Sequence, residues 1–155
     1  MRVLLVQACL GEKNEFVTYP LGLAYVGSAL ARHGHEVRIC DPNVTDTPYA
    51  ALARTLQAQR PDVVGVSLRN IDNQDRFRPV YYYLHFRATL AAIRRVLPDV
   101  PLVVGGPAFS MFAARIMARD PGIDFGIPLE GEEAFPELLT RLATPSAVPG
   151  IFYRR

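Results

Sequence analysis

Two cysteines, three histidines and a few scattered acids are the side chains that could ligate a metal or move a proton, and their spacing argues against most such chemistry. Cys9 and Cys40, far apart in sequence, end two strands expected to be neighbours; a disulfide between them is open but disfavoured in a reducing cytoplasm, and two thiols supply only half of a zinc site. His33 and His35 straddle Gly34, and His85 falls near the start of a helical stretch, so the three read as structural or solvated. Asp120, Asp124 and Glu137 lack partners at the spacing of a carboxylate pair and are expected to be surface charges. After the first apolar run comes Gln7-Ala8-Cys9-Leu10-Gly11, which is neither GxGxxG nor a phosphate loop ending in Lys-Ser/Thr. Asp41 could serve a ribose, but without those glycines it reads as a turn residue capping Pro42-Asn43. A phospho-receiver is excluded because Gln7-Ala8 and Ser67 stand where its acids would be. No catalytic residue and no metal ligand is assigned to this chain.

What remains is a binding chemistry carried by loops. Leu10 to Tyr19 and Leu68 to Pro79 exceed the roughly 2–6 residues usual between strands and helices, and long loops of that kind serve binding. Gly105-Gly106-Pro107 is short and bare, which either lets a bulky ligand approach the backbone or makes a plain tight turn.

The elements that position these loops follow from periodicity. Runs rich in Val and Ile at Val3 to Ala8, Glu36 to Cys40, Asp62 to Ser67, Leu102 to Gly105 and Asp124 to Ile127 predict five buried strands. Helical spacing fills the intervals: Leu21 to His33, Tyr49 to Gln57 entered through Thr47-Pro48, the Phe86, Leu90, Ile93, Leu97 stripe, Phe109 to Arg119, and the stripe from Ala134 to Leu142. Strict alternation of strand and helix predicts an α/β, doubly wound, Rossmann-like domain with a five-stranded parallel sheet of flavodoxin-type order and helices on both faces. Residues 1–144 form that domain, and 145–155 read as a linker with one short edge strand leading to a further domain. Ligands of such sheets bind at the carboxyl ends of the strands where strand order reverses, which is where the two long loops and the glycine pair fall.

With 155 residues, half of them apolar, the chain can bury one core. Seventeen basic against fifteen acidic side chains, with no block of like charge, give no nucleic-acid or acidic-membrane footprint. The longest mostly apolar stretch, Leu21 to Ala31, is too short for a bilayer, and Met1-Arg2 runs straight into Val3-Leu4-Leu5-Val6 without a signal-peptide pattern. The expectation is a cytoplasmic protein with a small-molecule partner.

Five segments taken in order carry a resemblance. They are Tyr19-Pro20-Leu21-Gly22-Leu23-Ala24-Tyr25, Arg32-His33-Gly34-His35-Glu36-Val37, Pro61 to Ser67, Val103-Val104-Gly105-Gly106-Pro107, and Glu130-Gly131-Glu132-Glu133-Ala134-Phe135-Pro136. Together they resemble the N-terminal cobalamin-binding domain of cobalamin-dependent radical S-adenosylmethionine enzymes. The closing Val148 to Arg154 is similar to the segment leading into their radical domain. The resemblance implies that Tyr19, Pro20, Leu21, Gly22, Ser67, Leu68, Arg69, Asn70, Gly105, Gly106, Pro107, Glu130, Gly131 and Glu132 bind the cofactor. Ser67 and the glycine pair would hold its nucleotide tail, and Glu130-Gly131-Glu132 would approach the same edge, unless the two glutamates only complement a helix start. Carrier-type cobalamin domains ligate cobalt through the histidine of a DxHxxG motif, whereas Cys9 to Tyr19 here holds no histidine. The cobalt is therefore expected without a protein imidazole, with Arg69 or Asn70 at that axial position. Arg69 could instead be a surface arginine paired with Asp72 or Asp75.

The resemblance also implies a partner. Iron-sulfur cluster and S-adenosylmethionine belong to a radical domain with CxxxCxxC, a motif missing from these residues, so that domain would lie downstream or in a partner chain, with methyl transfer as the joint activity. Two other classes stay open on the residues alone. One is an interaction or regulatory module without the cofactor, using Phe77, Tyr81-Tyr82-Tyr83 and Phe86, although that aromatic run also suits a buried helix start. The other is a flavin or nucleotide domain, weakened by the missing phosphate loop.

Overall fold

The computed structural model describes residues 1–11 and 18–154. Most of the loop Leu10 to Tyr19 lies outside the described residues. The chain runs β1 (Arg2–Gln7), α1 (Leu21–Arg32), β2 (Glu36–Cys40), α2 (Pro48–Gln59), β3 (Val63–Ser67), α3 (Tyr82–Val96), β4 (Leu102–Gly105), α4 (Pro107–Arg119), β5 (Phe125–Gly126), α5 (Gly131–Thr140) and β6 (Phe152–Tyr153). Short 3-10 turns lie at Pro42–Val44 and Pro145–Ala147. The sheet order is β2-β1-β3-β4-β5-β6, with the first five strands parallel. This is the flavodoxin-type order, and strand order reverses between β1 and β3. The count is corrected from five strands to six. Phe152–Tyr153 pairs antiparallel with β5 in the same sheet, because Arg154 pins it there. The Arg154 guanidinium donates to the carbonyls of Ile123 (2.8 Å), Asp120 (3.0 Å) and Met117 at the end of α4.

Strand alternation sends each face to a different set of helices. Val3 and Leu5 of β1, Val63 and Val103 join Leu23 and Leu30 of α1 and Phe135 and Leu138 of α5 in one core. Leu4 and Val6, Val64 and Val66, Leu102 and Val104 join α2, α3 and α4 in the other, around the fully buried Phe86 and Phe109. Each such large side chain removed from water contributes about 1.5–3 kcal/mol. Prolines open two of the helices: Pro48 begins α2 and Pro107 begins α4, where a missing N–H costs nothing. Thr47 precedes Pro48 without a side-chain capping bond, so the proline alone marks that start.

Asp120 is not a surface charge, whereas Asp124 keeps its side chain 41% exposed and is nonetheless bonded from two sides. Asp120 is buried and accepts from the Tyr83 hydroxyl at 2.6 Å and from Arg87 Nε at 2.8 Å, tying α3 to the end of α4. Asp124 Oδ2 accepts from Arg94 Nη2 at 2.6 Å and from the Leu102 backbone N–H at 2.8 Å, holding α3 against the start of β4. Sequence spacing missed both because their partners lie 22–37 residues away. Glu137 is a surface charge, in a half-exposed pair with Arg141.

Burial and then the Asp120 bond push the Tyr83 phenol up to about 12. A native group that holds its proton above the unfolded value of about 10 adds stability that is complete below pH 10 and is lost as pH rises towards 12. Urea unfolding across that interval should show the loss, and Tyr83→Phe should flatten it.

Candidate functional site

On the face shared with α1 and α5, side-chain size falls towards the carboxyl ends of the central strands. β3 reads Val63, Gly65, Ser67 on that face and β4 reads Val103, Gly105. The space this leaves is a cavity of about 540 Å³, floored by Gly65, Ser67 and Gly105 and walled by Val26, Met111 and Phe135 among others. A Cβ on Gly65 would come within 2.8 Å of the Phe135 ring and 2.9 Å of Leu5, so the ring closes the bottom of the cavity against bare backbone.

Of the fourteen residues expected to bind a cofactor, Gly22, Ser67, Gly105, Gly106, Pro107, Glu130, Gly131 and Glu132 line this cavity. Pro20, Arg69 and Asn70 line an adjoining polar cleft of about 300 Å³, together with Asp41, Asn43 and Tyr82. Tyr19 and Leu21 line neither and lie exposed. Leu68 is a core residue at 1% exposure; its contribution is through the backbone, where its carbonyl accepts from Ala108 N–H and its N–H donates to Gly105. Asp41 is the turn residue expected, accepting from the Asn43 backbone at 3.0 Å and from Asn43 Nδ2 at 2.8 Å.

Gly106 has a role that the dipeptide did not separate from ligand space. Its φ is +101°, and a Cβ there would meet Leu68 O at 2.7 Å and Ser67 Oγ at 2.8 Å. The glycine lets the start of α4 nest against the loop after β3, and it is needed before any ligand arrives.

The far wall is held by one hydroxyl. Ser110 Oγ donates to the Gly106 carbonyl at 3.0 Å and accepts from Leu129 N–H at 2.7 Å, joining α4 to the loop before α5. Leu129 sits in the left-handed region at φ +60° with its side chain 81% exposed at the cavity mouth, beside the exposed Met111. Non-glycine residues in this region store strain and cluster at binding sites. The N-terminus of α5 has no side-chain cap, so its first-turn N–H groups face the cavity edge beside Glu130 and Glu132.

Sequence reasoning missed Gly65, Val26, Ser110, Met111, Leu129 and Phe135. Gly65 alone left a signal, an isolated glycine inside a strand, which marks close approach of other atoms to the backbone. The others reach the cavity through helix packing that spacing does not show. Among the described residues neither Asp72 nor Asp75 pairs with Arg69. Their carboxylates accept from the backbone N–H groups of Gln74, Phe77 and Arg78 instead. Cys9 is buried, and burial pushes its thiol up to about 11. The histidines do not converge: His33 Nδ1 contacts the Ala29 carbonyl, and His85 Nδ1 meets the Tyr49 hydroxyl across α2 and α3.

The aromatic run divides. Phe86 is fully buried, and Tyr83 stacks on it while its hydroxyl is held by Asp120, so neither can serve a surface. Phe77 and Tyr81 remain exposed.

A family model described as the B12 binding domain matches residues 8–139. The chain belongs to the B12-binding family. This B12-binding domain is 30% identical over 133 residues to an uncharacterized methyltransferase of Pyrococcus horikoshii, covering 85% of the chain and 26% of that protein. It is 34% identical over 136 residues to the hopanoid C-3 methylase of Methylococcus capsulatus, covering 85% of the chain and 24% of the methylase. Among solved structures it superposes on the radical S-adenosylmethionine methyltransferase TsrM of Kitasatospora setae, bound to cobalamin and a [4Fe-4S] cluster, with a TM-score of 0.85 at 28% identity. That match covers 99% of this chain and 29% of TsrM. The B12-binding domain therefore spans about a quarter of the curated relatives it matches. Its cofactor is cobalamin, and the flavin reading is set aside. Among the described residues no helix is long and apolar enough to cross a membrane.

The residues present fit this cofactor. A strand face cleared of side chains at Gly65 and Gly105 opens a mainly apolar cavity for a bulky tail, and the polar cleft beside it offers donors and acceptors to an amide-bearing rim.

Proposed function

We propose that this domain holds cobalamin for a radical S-adenosylmethionine domain, in the same chain or a partner, within an enzyme that methylates a carbon or phosphorus centre of a metabolite. It works in the cytoplasm, in keeping with its two free cysteines. The observation that carries the reading is the cavity of about 540 Å³ at the point where strand order reverses, bounded by the glycine pair and the start of α5.

In this reading Ser67 offers its hydroxyl to the nucleotide tail, while Gly105, Pro107 and Gly131 border it, Gly106 lets the start of α4 nest beside it, and Gly22 leaves the entrance open. The α5 N–H groups meet a rim amide carbonyl beside Glu130 and Glu132. Tyr19 and Leu21 form an exposed apolar lip, and Leu68 fixes the loop through its backbone. When bound, cobalamin supplies a cobalt that accepts and releases a methyl group. Arg69 and Asn70, which line the polar cleft, would be the side chains that face the cobalt in place of an imidazole. A guanidinium keeps its proton and cannot ligate a metal, so Arg69 would leave the cobalt without a protein ligand on that side. The exposed Phe77, Tyr81 and Leu84 favour a protein interface at the start of α3, which suits the partner domain.

The test is incubation of the chain with hydroxocobalamin, desalting, and an absorption spectrum. Near-stoichiometric retained corrin is expected, and its visible bands should shift in Arg69→Ala. A chain that retains no corrin would overturn the reading in favour of an interaction module.

A further inference from the structure

Four polar side chains of the cleft beside the cavity, Asp41, Asn43, Asp72 and Asn73, are already committed within the protein. Asn43 Nδ2 donates to the Ala8 carbonyl at 3.1 Å, and its Oδ1 accepts from Leu10 N–H at 2.8 Å. Asn73 Nδ2 donates to the Arg78 carbonyl at 2.9 Å, and its Oδ1 accepts from Val80 N–H at 3.0 Å. Asp41 and Asp72 accept from Asn43 and Gln74.

Gln7 is different. It is the last residue of β1, in register with Ser67 of β3, and therefore stands at the reversal of strand order between the cavity and the cleft. It is only 7% exposed, yet its carboxamide makes no hydrogen bond with any described residue. A carboxamide carries two donor hydrogens and a carbonyl oxygen, and here they open to the cleft, where a ligand can meet them. A side chain held this closely by its surroundings, with its hydrogen-bonding atoms turned to a cleft and unspent on the described residues, is a candidate for a ligand. No structural partner on the neighbouring strand explains the residue, because Ser67 opens to the cavity.

We propose that Gln7 is a specificity residue that pairs with one side-chain carboxamide at the edge of the corrin, a step that rests on the cobalamin reading above. Two carboxamides can exchange two N–H···O=C bonds, each serving as donor and acceptor. A carboxylate at the same place accepts but cannot donate, so one of the two bonds is lost. Arg69, in the same cleft, attracts a carboxylate equally with and without the Gln7 amide, and the difference between variants isolates Gln7.

The experiment measures the dissociation constants of hydroxocobalamin and of its monocarboxylates, each with one propionamide hydrolysed, for the unaltered chain and for Gln7→Leu, with the thermal midpoint of each ligand-free chain alongside. The unaltered chain should prefer hydroxocobalamin over one monocarboxylate by about tenfold. Gln7→Leu should bind hydroxocobalamin about tenfold more weakly and lose that preference, while its ligand-free midpoint stays level, because the amide removed makes no hydrogen bond with the described residues and the replacement has a similar shape. Unchanged affinity in Gln7→Leu, absence of any preference in the unaltered chain, or a midpoint that falls together with affinity would each overturn the role of Gln7 while leaving the cofactor in place. Failure of the unaltered chain to bind hydroxocobalamin would remove the cofactor reading first and this inference with it.

Discussion

Gly22→Phe is expected to lower corrin retention at least about tenfold while the fold stays intact. Gly22 belongs to the first turn of α1 and lines the cavity, and a Cβ built on it meets nothing within 4 Å. A larger side chain can therefore enter without displacing protein atoms. Glycine is also a poor helix residue, so the exchange gains a few tenths of a kcal/mol of local stability, less than the mid-helix value of about 1 kcal/mol because the first turn is only half committed. The ring then occupies space that the proposed tail would fill, and ligand and side chain compete directly. The measurement is the absorption spectrum after desalting, with the ligand-free thermal midpoint recorded beside it. Retention at the unaltered level, with the midpoint unchanged, would place the tail elsewhere. Gly106→Val cannot replace this experiment: strain at φ +101° and approach to Leu68 O and Ser67 Oγ would damage the fold and the site together.

Gly126→Ala should destabilise the domain by about 3 kcal/mol. The added Cβ would lie 2.4 Å from Phe109 Cζ and 3.1 Å from Met117 Sδ, and Phe109 is fully buried with no free direction in which to move. Phe109→Leu removes the obstructing atom and, taken alone, leaves a void costing about 1–2 kcal/mol. The double variant should be more stable than the sum of the single changes by more than about 1 kcal/mol, which urea unfolding of the four chains measures directly. Additive losses would show that β5 shifts instead of the ring. The site should follow the fold here. Gly126 is succeeded by Ile127, Leu129 and Glu130, all of which line the cavity, so corrin retention should drop in Gly126→Ala and return in the double variant.

Much of this was legible in the residues. The apolar runs and their β-branched composition place β1 to β4 within a residue or two, and Gly34, Pro48, Pro61 and Pro107 mark helix ends through constraints local to each residue. Alternation of strand and helix then leaves few topologies, since parallel neighbours require right-handed crossovers. The ordered motifs pointed to the right cofactor family, and four of the five reach the carboxyl edge of the sheet, the turn around Gly34 lying at the opposite one.

Less was legible where the deciding contact is distant in sequence. Asp120 and Asp124 looked like ordinary exposed acids, because their partners come from α3 and β4. Leu68 read as a binding residue from its neighbours, yet the pleat of β3 turns it into the core. A short edge strand within 145–155 was legible, but its antiparallel pairing into this sheet depends on Arg154 reaching the end of α4, a contact with no local pattern.

By itself, then, the sequence determined the order and kind of the elements and the edge at which a ligand must bind, because propensity, periodicity and chirality act over short stretches of chain. Only the tertiary structure decided which side chains clear the cavity, that Gly106 serves packing between loops, and that Gln7 lines the cleft without a hydrogen bond to any described residue. Those outcomes depend on which faces of separate strands and helices meet, and that is settled by packing between residues far apart in the chain.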